Sequence, residues 1–245
     1  MLKPPHIFEI PPDTEKDTAE TFAAVNEALQ RLSASRVERI TVSGNLARSK
    51  IAWKVATYRQ ALLYRVVALG SGSALCWNDK NFLSSLIIAR ALVETVALLL
   101  DFENRIARHL SQEDLDGIDK LSMNRRFGSR DADWVKAHPD DAAINVLTLI
   151  KKLDREPDFS GMLGHYEGPL RTMSPQLARH SRLVCNSNTS VGTETYSEHK
   201  LQGKLSKLFG GVFLIVLAEH AFNRIDAQVN EIAEIQHRIN PIGGE

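Results

Sequence analysis

The sequence predicts an all-α protein, a helical bundle with a long central apolar helix and a long C-terminal helix, and three observations carry that reading. From Phe82 to Leu100 the chain is apolar except for small polar residues and two ionisable groups, Arg90 and Glu94, which stand four apart. On a helix of about 3.6 residues per turn, that spacing puts both side chains on one face. Toward the C-terminus Leu201, Leu208, Ile215, Phe222 and Val229 recur every seven residues. Gly211, Ala218, Ile225, Ile232 and Ile239 lie between them, which completes an a/d seam with Lys204 and Gln236 as polar departures. Apolar–polar alternation of strand period runs for no appreciable length.

Each element follows in chain order. Residues 1–13 read as an extended N-terminal arm, because Pro4, Pro5, Pro11 and Pro12 fix φ and withhold helical hydrogen bonds. A first helix is expected from about Thr14 to Ile40, with Phe22, Val25, Leu29 and Leu32 on its inner face. Ser43-Gly44-Asn45 separates it from a second, about Leu46 to Leu69, which Gly70-Ser71-Gly72 is expected to stop. Asn78 or Asp79 is the expected cap of the central helix. A helix so apolar must be packed on most sides, which places Leu86, Ile88, Leu92, Val96 and Leu99 in the core.

Beyond Leu110 a short polar helix is expected to reach Phe127, followed by a loop over 128–137. His138-Pro139-Asp140-Asp141 has the composition of a helix start, and Ile144, Leu147, Ile150 and Leu153 continue it up to Pro157. Gly161, Gly164, Gly168, Pro169 and Pro175 break 160–184 into short pieces, and the stretch from Cys185 is the most loop-like in the chain. The last helix is expected from about Ser197 to Ile239. Residues 14–245 are read as a single helical-bundle domain.

Composition narrows function by exclusion. Thirty basic residues balance thirty acidic ones, so no global field draws the chain to nucleic acid or an anionic membrane. Cys76 and Cys185 show no metal-binding spacing and suit two free thiols in a reducing compartment. The proline-rich start has no apolar core of a signal peptide. Arg90 and Glu94 near the middle of the one long apolar run argue against a membrane span. The localisation expected is cytoplasmic, with no membrane partner. Phosphate-binding glycine loops, zincin motifs and nucleophile elbows are absent, and Glu234-Ile-Gln-His237 alone does not make a di-iron bundle. No cofactor and no metal is implied.

Two groups of residues remain as candidate sites. Arg90 and Glu94 begin a stripe that continues through Asp101, Arg105 and Arg108, all within about 60° around a helix. The stripe reads either as a charged face that opens to solvent toward its C-terminal end, or as the wall of a pocket for tuned or anion-binding groups. His165, Tyr166, Arg171, Arg179 and His180 crowd the glycine- and proline-broken segment. They read either as an acid–base and phosphate-binding set or as a solvated surface cluster.

From about Phe82 to Asp226 the arrangement resembles the HEPN-type helical bundles of bacteria. Arg90-Ala-Leu-Val-Glu94 matches their Arg-x-x-x-Glu pair on an apolar helix, and Tyr166, Ser174 and His180 match their later Tyr, Ser and His. The resemblance implies a dimeric protein of a stress or phage-defence system. It also brings the metal-independent ribonuclease activity of many members, which use an Arg followed by four to six residues and a His. This chain departs from that spacing, with three residues between Arg105 and His109, seven between Arg130 and His138, and eight between Arg171 and His180. The expectation is therefore a binding or assembly component acting as a homodimer, with another protein or RNA as partner. The rivals are a ribonuclease using His180 with Arg171 or Arg179, and a small-ligand sensor with binding residues Arg90, Glu94, His165 and Tyr166.

Overall fold

The computed structural model describes residues 2–12, 14–139, 142–153, 185–186, 195–196 and 212–239. They form eight helices, α1 (Lys16–Ala34), α2 (Asn45–Arg48), α3 (Lys50–Asn78), α4 (Phe82–Leu110), α5 (Leu115–Phe127), α6 (Ala132–Ala137), α7 (Val146–Leu153) and α8 (Leu214–Ile239). A two-residue antiparallel ladder pairs β1 (Cys185–Asn186) with β2 (Thr195–Tyr196). The all-α bundle with a long apolar helix and a long C-terminal helix is what the sequence pattern called for.

The central helix packs against α3, α5, α7 and α8. Leu92, Val96, Leu99, Phe102 and Ile106 are fully buried, and Leu86 is buried at its start. Its length and apolarity would suffice to cross a membrane, yet 56% of its most apolar window is covered inside the bundle. Asn81, rather than Asn78 or Asp79, caps it by accepting a hydrogen bond from the Ser84 amide. The heptad seam of α8 is spent in the same core, with Ile215, Ala218, Phe222, Ile225 and Ile232 all at 0% exposure. Leu201, Leu208 and Gly211 of that seam lie outside the described residues.

Several boundaries differ from expectation, each for a physical reason. α1 ends at Ala34, because Val37, Ile40, Thr41 and Val42 are β-branched and favour the extended chain that follows. The Arg36 guanidinium bonds back to the Ser33 carbonyl and hydroxyl, which closes that end. α3 does not stop at Gly70-Ser71-Gly72 but runs through to Asn78. Gly70 is buried, and a Cβ there would lie 3.0 Å from side-chain atoms of both Leu29 and Ile215. The glycine serves the close approach of α1 and α8 to α3, not helix termination. A Cβ on Gly72 would meet only Ile88, at ordinary contact distance. Ile88 is half-buried there instead of deep in the core.

The segment 128–137 contains α6, whose first turn Asp131 caps through the Trp134 amide. α7 begins at Val146 rather than near Pro139, with Asn145 accepting from the Leu147 amide. The extended arm lies along α1 and α3 with the Phe8 ring fully enclosed. Phe8, Phe22, Trp77 and Phe82 form a chain of rings with successive centroids 5.4, 6.2 and 5.1 Å apart.

The two glycines of α3 are expected to respond in opposite senses. Gly72→Ala should stabilise the protein by about 0.5–1 kcal/mol through helix propensity. Gly70→Leu should cost about 1–3 kcal/mol by overpacking. Urea unfolding of both variants reads the difference, and equal shifts would mean that Gly70 sets no helix spacing.

Candidate functional site

Stability around α4 depends on where its charges go. The stripe predicted on its face opens to solvent at Arg105 and Arg108 as expected, but its most buried member is Asp101 and not the Arg90–Glu94 pair. Arg90 Nε donates to Glu94 Oε1 at 3.1 Å with both side chains about 30% exposed. Two turns on, Asp101 is 7% exposed. Its Oδ2 accepts from the Arg125 guanidinium of α5 and lies 3.4 Å from Arg105 Nε, one turn along α4. Arg108 stands exposed at the end.

The Arg125 side chain is 2% exposed, deeper than its partner. Burial pushes its proton affinity down while Asp101 opposes that shift, and guanidinium basicity keeps it cationic. Its Nε and the nearby Ser122 hydroxyl are buried without a protein partner. Tyr58 of α3 stands edge-on to Phe102 with centroids 4.8 Å apart. Burial pushes the Tyr58 phenol above its ordinary value, and the Arg125 and Arg65 charges act against that shift. The phenol therefore stays a neutral hydrogen-bond donor at physiological pH.

Arg105 and Arg125 share the one Asp101 carboxylate, which leaves the cluster with a net positive charge. Such a surround can hold an anion. It offers no free base, because both arginines already claim the Asp101 carboxylate.

Three further ion pairs surround this one. Glu103, 4% exposed, accepts from Arg224 at 3.0 Å and from Gln228, which ties α4 to α8. Arg59 of α3 reaches Asp226 of α8 at 2.7 Å and lies over the Phe222 ring. Lys54 pairs with Asp119 across α3 and α5. At the α4–α5 corner the Asp114 carboxylate accepts from the Gly117 amide and lies 2.8 Å from His109 Nδ1. Those bonds, the backbone one first, hold the Asp114 acid below its ordinary value.

Of the sequence candidates, Arg90 and Glu94 are brought together as predicted. His165, Tyr166, Arg171, Ser174, Arg179 and His180 lie outside the described residues. Arg125, Glu103 and Arg224 were missed, because single charged residues on a short polar helix or within a long amphipathic one read as solvated surface. One signal was available: Ile118, Leu121 and Ser122 form a buried face of α5, and Arg125 continues it. Among the described residues no group of three His, Cys, Asp or Glu is placed to hold a metal. The described grooves lie away from Arg90. One of about 600 Å³ runs between the arm and the end of α1, and one of about 440 Å³ between Trp53, Gln60 and Tyr64 of α3 and residues 37–40. Comparison of the chain with protein-family models, curated proteins and solved structures returned no match.

The stripe's burial order has a measurable consequence. Asp101→Ala should cost about 3–5 kcal/mol, because it leaves Arg125 buried and unpaired. Glu94→Ala, which breaks a half-exposed pair, should cost less than about 1 kcal/mol. Denaturant titration orders the two, and a larger loss for Glu94→Ala would refute the buried-cluster assignment.

Proposed function

We propose that this chain is a binding or assembly component rather than a catalyst, a HEPN-like bundle of a bacterial stress or phage-defence system that works in the cytoplasm as a homodimer. The observation that supports it is a pair of exposed apolar side chains on α4. Leu83 and Ile87 are 50% and 52% exposed, on the face of α4 that also carries Arg90 and Glu94. Contiguous exposed apolar groups rimmed by charge mark association surfaces. A twofold axis through this face would set it against its own copy. Within α8 the seam from Ile215 to Ile232 is buried in the bundle and only Ile239 at its end is exposed, so the reading rests on this face of α4.

Light scattering should give twice the chain mass of 27.3 kDa for the wild type. Leu83→Glu with Ile87→Glu should give the single mass with an unchanged melting temperature. A monomeric wild type would defeat the dimer.

A metal-independent ribonuclease is the second reading, supported by the net positive Arg105–Asp101–Arg125 cluster, where the half-exposed Arg105 can meet phosphate. Incubation with total RNA in chelator separates the two. The binding role predicts no cleavage above background. Robust cleavage lost in His180→Ala would transfer the proposal to the enzyme.

A further inference from the structure

The smaller of the two grooves is built on one face of α3. Trp53, Thr57, Gln60 and Tyr64 stand at intervals of four, three and four residues, which stacks them along that face. Val37 and Ile40 of the extended segment after α1 form its other side, and the space is about 440 Å³. Small-molecule sites enclose about 300–1,000 Å³, walled by apolar and aromatic groups with a few polar ones among them. The groove matches that description in size and in lining.

Its walls are fixed by bonds within the protein. The Tyr64 hydroxyl donates to the Val37 carbonyl at 3.0 Å, which ties the two sides together. The Arg36 guanidinium lies 5.6 Å from the centre of the Tyr64 ring and the Arg126 guanidinium 5.5 Å from that of Trp53, so both rings are braced. Thr57 Oγ1 donates to the Trp53 carbonyl at 2.7 Å, which leaves that hydroxyl no proton to offer a ligand.

Gln60 gives the groove its chemistry. The residue is about nine-tenths buried, and its Oε1 accepts from Arg59 Nη1 at 3.2 Å. A guanidinium only donates, so the oxygen end of the amide must face it. Arg59 is itself held by Asp226 at 2.7 Å and by the Phe222 ring. The nitrogen end of Gln60 is therefore set as well, and Nε2 is buried with no partner among the described residues. A buried donor without an acceptor is costly, and a ligand that brings the acceptor removes that cost. The lining holds one acid, Glu38, and no Lys or Arg, so a neutral oxygen fits it and a carboxylate does not.

We propose that this groove binds a small, flat aromatic molecule carrying a neutral carbonyl oxygen, its ring packed on the aromatic wall and its oxygen accepting from Gln60 Nε2. The site uses no residue of α4 and is independent of the dimer proposed above.

Benzamide is the probe, with toluene as the ring without the oxygen and benzoate as the charged analogue. Saturation-transfer NMR titrations on the full chain should show benzamide binding about tenfold more tightly than toluene, the worth of one hydrogen bond, and benzoate most weakly. Gln60→Leu should bring benzamide down to the affinity of toluene and leave toluene unchanged. Because that variant also takes an acceptor from Arg59, Ala61→Trp serves as a second. Position 61 is exposed and lines the groove, so the larger side chain fills the space and leaves the Arg59–Gln60 bond in place. All binding should then vanish at an unchanged melting temperature. Equal affinities for benzamide and toluene, benzamide binding that survives Ala61→Trp, or no binding to the wild type would each overturn the proposal.

Discussion

The structure is organised by the need to enclose a helix that carries both a broad apolar surface and two buried carboxylates. Asp101 and Glu103 lie almost wholly inside the protein. A carboxylate withdrawn from water costs several kcal/mol unless a cation and hydrogen bonds replace its hydration. Each is covered from a different direction, Asp101 by Arg125 of α5 and Glu103 by Arg224 of α8. The same two helices are tied to α3 by Lys54–Asp119 and Arg59–Asp226. Four helices are therefore linked around a ring of ion pairs. Apolar burial is non-directional and supplies the driving force, while the pairs require particular neighbours.

Close approach works alongside charge. Gly70 lets the Leu29 and Ile215 side chains reach the α3 backbone, so α1 and α8 rest on α3 at one point. The two tight corners on either side of α4 are closed by Lys80 at φ 58° and Glu113 at φ 50°, both in the left-handed region. Five-residue backbone bonds from Asn81 to Cys76 and from Asp114 to His109 complete those turns. Side chains there pay a conformational cost that glycine would avoid, and α4 is held antiparallel to its neighbours in return.

The fold was legible in the sequence where the signal was periodic. The apolar run of α4 and the heptads of α8 fixed both helices and their buried faces, and the Arg90–Glu94 pair followed from its spacing. Signals that depend on the third dimension were misread. Gly70-Ser71-Gly72 has the composition of a helix stop, and only the approach of Leu29 and Ile215 shows that it is a crossing point. The stripe from Arg90 to Arg108 gave its direction but not its depth, because Asp101 is buried by α5, and nothing in α4 encodes Arg125. Four prolines predicted an extended arm. Its binding partners, Asn26 and Asn78, are isolated polar residues whose role exists only once α1 and α3 lie side by side.

Asn26 accepts from the Phe8 amide and donates to the Phe8 carbonyl, and Asn78 accepts from the Glu9 amide and donates to the Ile7 carbonyl. Each clamp needs an amide nitrogen that donates and an amide oxygen that accepts, and hydrolysis of the side chain replaces the nitrogen with oxygen. At position 26 that change would turn a bond to the Phe8 carbonyl into repulsion between two acceptors, and position 78 would do the same to the Ile7 carbonyl. Deamidation at either position is thus a one-atom lesion that weakens the hold on the arm and leaves the ion-paired bundle below intact.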